Sequence, residues 1–355
     1  MSSSPYTSYV VDIHLPPAII IPPVILTLVY ALVLTIDYVL IKNEAKLASI
    51  ISPMKLRGLI AVYHFLLPIV FASKYDFGNI SFMLQPWTTA LQIVFLAKTD
   101  LSIKKWVAML FKVATFQDDS PTTDTSREIR IKGLKKVARG STKFVFMKLV
   151  LDGLLPKDLS DLLGMPVFSP RALFITYVLA FRIYCMMGVT DIIMGLVQCT
   201  CLIRFKDIFD NPFMASSPKD FWNKRWNRLV NSIFRQFIFL KAMDQDKKKE
   251  DKTGGGSSAM RYGLLVFVLS GLFHDFMIAA AARTITFELT AFFLIHGIAV
   301  ALEVKYRKGK FKKEPTGIYS ILCNLLTVLF FTTTGRLFLA PILRQEVFLR
   351  IAQQF

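Results

Sequence analysis

Long segments without a charged residue limit this chain more than any other feature of its sequence. Residues 15–36, 77–97 and 316–335 contain no Asp, Glu, Lys or Arg over 20 residues or more. A helix needs about 20 apolar residues to cross the hydrocarbon core of a bilayer, which is about 30 Å thick. The sequence therefore predicts a polytopic membrane protein.

The composition supports this interpretation and excludes several classes of protein. Of the 355 residues, 54% are hydrophobic and 19% are charged, whereas an ordinary soluble domain has about 25% charged residues. These values argue against a soluble enzyme, a disordered chain and a disulfide scaffold. The formal net charge of +18 would suggest a nucleic-acid partner for a soluble domain. Here the basic residues flank apolar segments, so we expect membrane lipids and no nucleic acid as partners.

The distribution of charge around the first apolar segment predicts its orientation. Asp12 is the only charged residue before residues 15–36, whereas four basic residues lie within residues 42–57. The positive-inside rule therefore places the N-terminus outside or in the lumen and residues 42–57 in the cytoplasm. No basic residue precedes the apolar run, so we expect a retained span rather than a cleaved signal peptide.

A second apolar region carries two charges of opposite sign. Residues 172–203 are mostly apolar but contain Arg182 and Asp191. A separation of nine residues puts these two on opposite faces of a helix with 3.6 residues per turn, so they cannot pair along it. Both flanks of the region have a cytoplasmic character, so we expect a hairpin of two passes.

These patterns predict an all-α bundle of about eight transmembrane helices in a single domain over residues 1–355. Residues 106–116 are too short to span the bilayer alone and are expected to lie in the interface or to re-enter. Residues 243–259 combine mixed charges with a glycine-rich end, which predicts a flexible cytoplasmic loop. The other expected passes are residues 58–73, 77–97, 261–283, 285–304 and 316–340.

The four cysteines do not form a recognisable metal site. Cys185, Cys199, Cys201 and Cys323 lie in apolar stretches, and no C-x-x-C pair occurs. The spacing of Cys199 and Cys201 without a nearby histidine argues against zinc, so we expect packed thiols and no metal.

Two histidines are expected deep in the membrane. In a hairpin of residues 261–283 and 285–304, His274 and His296 would lie roughly 15 and 18 Å from the turn. An ionisable group at such depth marks a functional site or a wet cavity, and a neutral imidazole there can accept a proton. Asp275 beside His274 favours a cavity over a lipid-facing position. The alternative is a packed histidine that hydrogen-bonds a neighbouring helix.

A smaller residue accompanies the first histidine. Gly271 lies three residues before His274, and a small residue at that spacing lets another helix or a ligand approach closely. The sequence alone does not choose between these two partners.

A helix start with basic and aromatic residues precedes these histidines. Ser217 and Asp220 form a capping-box pattern, and Pro218 suits the first helical position. Trp222 and Trp226 beside Lys224 and Arg225 are typical of an interfacial helix at headgroup level. Such a helix could serve as the entrance for an anionic substrate with a lipid tail, or simply anchor the chain. A further basic strip, residues 305–313, is expected to contact lipid headgroups.

Three ordered motifs in this region resemble the wax synthase branch of the membrane-bound O-acyltransferases. The first runs from Asp220-Phe221-Trp222 to Arg225-Trp226-Asn227. The second is Ser270-Gly271-Leu272 with His274-Asp275. The third is Phe292-Phe293 with His296-Gly297 and Glu303. The resemblance covers about residues 200–305, and the N-terminal half agrees only in hydropathy.

The resemblance implies transfer of an acyl group from acyl-CoA to a hydroxyl group within a membrane-buried tunnel. His274 matches the catalytic histidine of the family and Asn227 its motif asparagine, while His296 matches a recurrent position without an assigned role. Many relatives carry Glu at the position of Asp275, and plant relatives often carry Gly at the position of Asn223. The residues expected to contact substrate are Trp222, Arg225, Trp226, Asp275 and His296.

The resulting hypothesis is a wax ester synthase in the endoplasmic reticulum, with His274 as general base and Asn227 as orienting donor. Acyl-CoA and a lipid alcohol are the substrates, and no bound cofactor is expected because the thioester is already activated. One alternative is an acetyl-CoA-dependent O-acetyltransferase of a terpenoid or sterol alcohol. An alternative from another class is a proton-coupled transporter. Its proton path would be lined by His274, His296, Asp275, Arg182 and Asp191. The sequence shows no pair of related halves, which many transporters contain.

Overall fold

Helices make up nearly all of the regular structure in the computed structural model. It describes residues 7–94, 96, 101–115, 118, 120–234, 256–307 and 315–345. The first ten helices are α1 (Pro23–Lys42), α2 (Glu44–Leu47), α3 (Pro53–Val70), α4 (Asp76–Val94), α5 (Ile103–Thr115), α6 (Ser126–Phe146), α7 (Asp152–Leu154), α8 (Asp161–Gly164), α9 (Pro170–Met186) and α10 (Gly188–Cys201). The last five are α11 (Pro218–Asp220), α12 (Arg228–Phe234), α13 (Gly256–Ala282), α14 (Glu288–Tyr306) and α15 (Ile318–Leu343).

Short non-α elements complete the described chain. A π-helix continues α6 at Met147–Leu151, and a second one continues α11 at Phe221–Arg225. A 3₁₀ helix covers Pro212–Met214. The strands are β1 (Ile13–His14), β2 (Ile19–Ile20), β3 (Phe71–Ala72) and β4 (Thr284–Ile285).

Six helical stretches in the described residues are long and apolar enough to cross a membrane, which confirms the predicted all-α membrane protein. They are α1, α3, the joined α9 and α10, α13 from Met260, α14 and α15. The expected number was about eight. The helix α4 covers most of the predicted span 77–97, but polar residues such as Gln85 and Gln92 make it less apolar than the six.

The expected hairpin within residues 172–203 does not form. Only Met187 separates α9 from α10, and its backbone is right-handed helical (φ −63°, ψ −9°). A reversal of direction needs more connecting residues than one, so α9 and α10 follow one another as a 32-residue stretch.

The helix α6 runs antiparallel to α10 and packs closely on it through two glycine pairs. A Cβ on Gly140 would lie 2.4 Å from the Gly188 carbonyl oxygen, and one on Gly133 would lie 2.8 Å from that of Gly195. Small residues let two helix backbones approach in this way. After α10, the chain lies beside α6, where Asp207 accepts from Lys136 and Arg139.

The charges of the α9–α10 stretch are neutralised by the α6–α7 segment. Arg182 donates to Asp152 at 2.7 Å, and Asp191 accepts from Arg139 at 2.8 Å and from Lys143 at 3.0 Å. As predicted, Arg182 and Asp191 do not pair with each other, because they lie on different faces of the stretch.

The first membrane helix begins later than expected. We expected a span over residues 15–36, but α1 starts at Pro23 and ends at Lys42. Four prolines precede or begin it, at positions 16, 17, 22 and 23. Proline lacks an N–H and disfavours a helical residue before it, so the chain before Pro23 stays extended.

Several chain segments meet at one end of the bundle. β1 pairs with β4, and β2 pairs with β3. The Arg283 side chain donates to the backbone oxygens of Pro16 and Ile69, at 3.0 and 2.7 Å. The N-terminal segment, the end of α3 and the α13–α14 connection therefore share one side, as the predicted topology requires.

A buried polar network that was not predicted from the sequence links α1, α3 and α4. His64 Nε2 lies 2.7 Å from Asp37 Oδ2, and both side chains are completely buried. His64 Nδ1 lies 3.4 Å from the Tyr30 hydroxyl, which donates to Thr89 at 3.2 Å. This network joins three helices in the half of the chain that carried no motif.

Two other sequence predictions concern loops. Most of the expected loop 243–259 lies outside the described residues, but Gly256–Ala259 already belong to α13, so the loop ends earlier than predicted. Of the basic strip 305–313, residues 308–313 also lie outside the described part. Within residues 106–116, Trp106 is buried against α1 and α3 in a cluster with Ile41 and Ile60.

Candidate active site

The segment that follows α10 forms a helix start and then a sharp break. The Ser217 hydroxyl accepts from the Asp220 N–H at 3.1 Å, and Pro218 is the first helical residue, which confirms the predicted helix start. The expected interfacial helix is interrupted before Trp226, because the π-helix ends at Arg225 and Asn227 has a left-handed backbone (φ 38°). Asparagine tolerates this conformation better than most residues.

The helix α14 holds this segment in place at two points on one face. Glu303 Oε2 accepts from the Lys219 backbone N–H at 3.0 Å, which satisfies a donor in the first turn of α11. The Trp222 indole N–H donates to His296 Nδ1 at 3.1 Å. Since His296 and Glu303 are seven residues apart, both project from the same side of α14.

A mostly apolar cavity of about 400 Å³ lies between this segment and helices α9, α13, α14 and α15. Its wall combines aromatic and aliphatic side chains with a few polar groups. The described polar and ionisable residues of the wall are Thr176, Tyr177, Trp222, Asn223, Trp226, Asn227, Asn231, Ser270, His274, Thr327 and Thr332. A concave apolar space with a few convergent polar groups is typical of a site for lipid-like ligands.

His274 lies in the cavity wall with one ring nitrogen occupied by the backbone. Its Nδ1 atom is 2.7 Å from the Ser270 carbonyl oxygen. A carbonyl oxygen can only accept, so Nδ1 carries the hydrogen and a neutral ring keeps its lone pair on Nε2. The ring packs against Phe293 with 4.8 Å between centroids. Position and tautomer are those of a candidate general base.

Asn227 lines the same cavity and begins the next helix. Its Oδ1 atom accepts from the Val230 N–H at 3.3 Å, so the side chain acts as the N-cap of α12. Because the oxygen faces its own helix, the amide nitrogen is the part of Asn227 that can donate to a ligand. The structure thus brings the two predicted catalytic residues, His274 and Asn227, to one cavity.

The two tryptophans also lie in the cavity wall. Trp222 contacts the rings of Phe267, Phe293 and Phe331. Trp226 stacks on Phe221 with 5.3 Å between centroids and an interplanar angle of 14°. The expected interfacial helix is therefore replaced by a segment whose aromatic side chains turn inward.

Arg225 is turned away from the described cavity wall. Its Nε atom donates to Asp220 Oδ2 at 2.7 Å, and Asp220 is 5% exposed. The Arg225 carbonyl oxygen accepts from the Asp210 N–H at 2.9 Å. This arrangement ties the π-helix to the preceding loop, which favours a structural role over the predicted contact with substrate.

Asp275 binds the start of α14 instead of facing the cavity. Its carboxylate accepts from the backbone N–H groups of Leu289 and Thr290, at 3.3 and 2.8 Å, and from the Thr290 hydroxyl at 2.6 Å. These N–H groups have no partner within α14 itself. Asp275 therefore caps a neighbouring helix, and we assign it a positioning role in place of the predicted substrate contact.

His296 is completely buried and does not belong to the described cavity wall. Besides accepting from Trp222, its ring lies 2.9 Å from the Thr334 hydroxyl through Nε2. Both nitrogens therefore have partners within the protein. The predicted direct contact of His296 with substrate has no support from this geometry.

The helices α13 and α14 approach closely at two glycines. A Cβ on Gly271 would lie 2.5 Å from the Thr290 Cα atom, and one on Gly297 would lie 2.8 Å from Phe267 Cβ. Of the two partners considered for Gly271, the structure shows a neighbouring helix. This close packing brings Phe293 of α14 against His274 of α13.

A charged cluster outside the spans lies next to the cavity wall. Asp207 accepts from Lys136 and Arg139. Burial disfavours the carboxylate, but the hydrogen bonds and positive charges of Arg139 and Lys136 outweigh it and lower the pKa of Asp207 to about 2. Lys143 also lies 4.2 Å from the centre of the Tyr184 ring. The cluster fixes the loop that leads to Phe209, a residue of the wall.

All four cysteines are free thiols. Among the described residues, no group of three or more His, Cys, Asp and Glu side chains is placed to hold a metal ion.

Some residues of the site were not found from the sequence. Ser270 was noted only as part of a motif, yet its carbonyl oxygen determines which nitrogen of His274 carries hydrogen. Asn231 donates to the carbonyl oxygens of Trp222 and Asn223, at 3.1 and 2.8 Å, and so closes the π-helix. A backbone acceptor leaves no trace in residue type, but Asn231 lies four residues after Asn227, a spacing that could have been noticed.

Comparison with known proteins connects this site to one family. Residues 205–295 match the Membrane bound O-acyl transferase family. The chain is 30% identical over 188 residues to probable long-chain-alcohol O-fatty-acyltransferase 1 of Arabidopsis thaliana, with 52% of each chain covered. It is also 30% identical over 155 residues to the long-chain-alcohol O-fatty-acyltransferase of Simmondsia chinensis, with 41% of each covered.

These alignments span about half the length of the relatives or less. The residues matched by the family lie within the segment that carries the three motifs, and they include Trp222, Asn227 and His274. The matches confirm the predicted resemblance to the wax synthase branch. Over residues 205–295, the chain is therefore similar to the membrane-bound O-acyltransferase family.

Proposed function

We propose that the protein is a wax ester synthase, which transfers a fatty acyl group from acyl-CoA to a long-chain alcohol. The observation that carries this proposal is His274, with Nδ1 bonded to Ser270 and its ring in the wall of an apolar cavity. Two of its relatives are named long-chain-alcohol O-fatty-acyltransferases, and the apolar wall suits substrates with alkyl chains.

In the proposed reaction, His274 acts as general base. Its Nε2 atom takes the hydroxyl proton of the alcohol while the alcohol oxygen forms a bond to the thioester carbonyl carbon. The carbon–sulfur bond then breaks, and the imidazolium returns the proton to the departing CoA thiolate. General-base assistance of this kind contributes about 10²–10⁴-fold to the rate. The Ser270 carbonyl supports it, because it stabilises the Nδ1–H of the imidazolium.

Asn227 serves as the hydrogen-bond donor for the developing negative charge. Its Oδ1 atom is occupied by the start of α12, so the amide nitrogen is directed by a rigid backbone. A preorganised hydrogen-bond donor to the oxyanion, in a site that excludes water, stabilises the transition state by about 3 kcal/mol. The mostly apolar wall makes such a donor effective, because little water competes with it.

The transporter alternative receives less support from the geometry. Arg182 and Asp191 form ion pairs with the α6–α7 segment. Asp275 and His296 hydrogen-bond within the protein. Of the five residues proposed for a proton path, only His274 lies in the described cavity wall.

The proposal extends to the surroundings of the reaction. Acyl-CoA acts as a co-substrate rather than a bound cofactor, and basic residues of the cytoplasmic loops attract its phosphates. The endoplasmic reticulum is the compartment in which this family of reactions would find both acyl-CoA and lipid alcohols.

The test is the product formed from labelled palmitoyl-CoA and hexadecanol by membranes that contain the protein. We expect a wax ester from the unaltered chain and its loss in His274→Ala. His14→Ala changes an exposed histidine that contacts Thr284 and lies outside the described cavity wall, so this variant should stay active. Parallel incubations with acetyl-CoA and a sterol separate the acetyltransferase alternative. Ester synthesis that survives in correctly folded His274→Ala would overturn the proposed base.

A further inference from the structure

The hydrogen bonds of His296 determine its tautomer and leave it without a lone pair for substrate. An indole N–H can only donate, so His296 Nδ1 accepts from Trp222. The Thr334 hydroxyl donates to the Phe330 carbonyl oxygen at 2.8 Å, so its oxygen accepts from His296 Nε2–H at 2.9 Å. A neutral His296 is thus fully satisfied and cannot take a proton without breaking one of these contacts.

Trp222 is the partner of His296 that reaches the cavity. The indole also makes ring contacts, which constrain its direction weakly, with Phe221, Phe267, Phe292, Phe293 and Phe331. The bond to His296 is the directional contact that fixes the rotation of the indole. Trp222 belongs to a π-helix, an irregular turn that is found frequently at functional sites.

Phe293 connects this indole to the proposed base. Its ring centroid lies 5.3 Å from that of Trp222 and 4.8 Å from that of His274. Phe293 is 3% exposed, so its ring has little room to move independently in a densely packed interior. A displaced indole would therefore shift the surface against which His274 packs.

We propose that His296 is a positioning residue, which acts through Nδ1 on Trp222 and through Trp222 and Phe293 on His274. The kinetic consequence rests on the proposed acyl transfer, whereas the orientation of Trp222 does not depend on it. His296 thus contributes to the rate without touching substrate, and Thr334 contributes only to the tautomer.

Two substitutions of the histidine separate this role from simple packing. In His296→Asn, the side-chain oxygen takes the place of Nδ1 and can still accept from Trp222. In His296→Gln, the amide nitrogen reaches the place of Nε2 and can still donate to Thr334, but the acceptor for Trp222 is lost. Trp222→Phe removes the donor from the other side, and Thr334→Ala is the matched control at Nε2.

The kinetic readout is kcat and KM for wax ester formation by purified protein in nanodiscs. We expect kcat to fall about 10- to 100-fold in His296→Gln and Trp222→Phe, because a displacement of 1 Å at a reacting group can cost about 10²-fold. In His296→Asn and Thr334→Ala we expect kcat within about threefold of the unaltered protein. We expect the double variant His296→Gln/Trp222→Phe to have a kcat no lower than that of either single variant, because both substitutions remove the same hydrogen bond.

The second readout is independent of activity. The chain has four tryptophans, and 5-fluorotryptophan labelling gives each a ¹⁹F resonance, with Trp222 assigned from Trp222→Phe. We expect His296→Gln to move the Trp222 resonance and His296→Asn to leave it in place. If both variants leave it unmoved, or if the asparagine variant loses as much kcat as the glutamine variant, the positioning role is wrong. If the unaltered protein forms no ester, the proposed function fails, and the ¹⁹F result alone decides the role of His296.

Discussion

Asn227 performs two tasks with one short side chain. Its oxygen caps α12, and its left-handed backbone (φ 38°) orients the remaining amide group. Alanine at this position would remove the cap, remove the donor and strain the backbone at once. A useful variant must therefore separate the amide nitrogen from the other two features.

Asn227→Asp provides this separation, because aspartate keeps the capping oxygen and tolerates the same backbone but has no N–H. We expect kcat to fall about 10²–10³-fold, the usual cost of losing one oxyanion donor, with little change in melting temperature. Asn227→Gly keeps the backbone but loses both the amide and the capping oxygen, so it should lose activity at a cost of only a few tenths of a kcal/mol in stability. The measurements are ester formation and thermal unfolding of the purified variants. Full activity in Asn227→Asp would contradict the donor role.

Single residues of the site could be predicted from the sequence when their identity carries the chemistry. His274 was predicted in this way and Asn227 from the family resemblance alone, and they line one cavity. Asp275, Arg225 and His296 were expected to meet substrate for the same reason, but their partners come from other elements. Sequence distance does not show that Asp275 faces the first turn of α14, so their roles needed the structure.

At the scale of elements, the contact between α13 and α14 positions both His274 and Phe293. Gly271→Ala should disrupt it, because the added Cβ would lie 2.5 Å from the Thr290 Cα atom and a backbone atom cannot move aside. We expect a loss of about 1–3 kcal/mol of stability, as in other overpacked contacts. Gly263→Ala in the same helix is the control, since a Cβ there meets nothing within 4 Å. Equal melting temperatures for the two variants would contradict this account.

A glycine on α15 bounds the cavity itself. Among the described residues, a Cβ on Gly335 would meet only Thr176, at 3.0 Å from its Cγ2 atom, and both residues line the wall. Valine at position 335 should therefore narrow the space for an alkyl chain, and one methylene in such a pocket is worth about 1–3 kcal/mol. We expect the ratio of kcat/KM for palmitoyl-CoA over decanoyl-CoA to fall about tenfold. Gly335→Ala should lower this ratio by a smaller factor. An unchanged ratio in Gly335→Val would show that the acyl chain of the substrate does not lie beside Gly335.

The positions of most spans could be predicted from apolar length, but their relation to one another could not. The proline pairs before α1 and the polar residues of α4 were visible in the sequence and could have corrected those two spans. The straight path from α9 to α10 depends instead on close packing with α6, through Gly133 and Gly140. That contact joins residues about 50 to 60 positions apart in the sequence, which apolar length alone does not reveal.

At the scale of the whole molecule, the motif-bearing half and the N-terminal half meet through aromatic side chains. Trp87 of α4 lies 4.7 Å from Phe273, and Phe65 of α3 lies 4.9 Å from Phe276, as ring centroids. Trp87 also donates to the Phe65 carbonyl oxygen at 3.0 Å. The N-terminal helices thus support the side of α13 that carries the residue next to His274.

The Asp37–His64 pair stabilises this supporting half, and its removal should affect folding rather than chemistry. Neither residue belongs to the described cavity wall, and Asp37 Oδ1 is buried without a hydrogen-bond partner among the described residues. Removing one member of a buried hydrogen-bonded pair leaves the other without its partner and costs about 1–3 kcal/mol, whereas replacing both with apolar residues of similar shape can be nearly neutral. We therefore expect His64→Leu to lower the melting temperature strongly and Asp37→Leu/His64→Leu to recover much of the loss.

The activity of the folded fraction distinguishes this structural role from a catalytic one. For each variant, ester formation is divided by the amount of monodisperse protein recovered in detergent. We expect kcat per folded molecule to stay within about threefold of the unaltered protein, since unfolding and catalysis involve separate groups here. A double variant that folds as well as the unaltered chain but makes no ester would show that the pair takes part in the reaction, and the proton transfer assigned to His274 would then have to include α1 and α3.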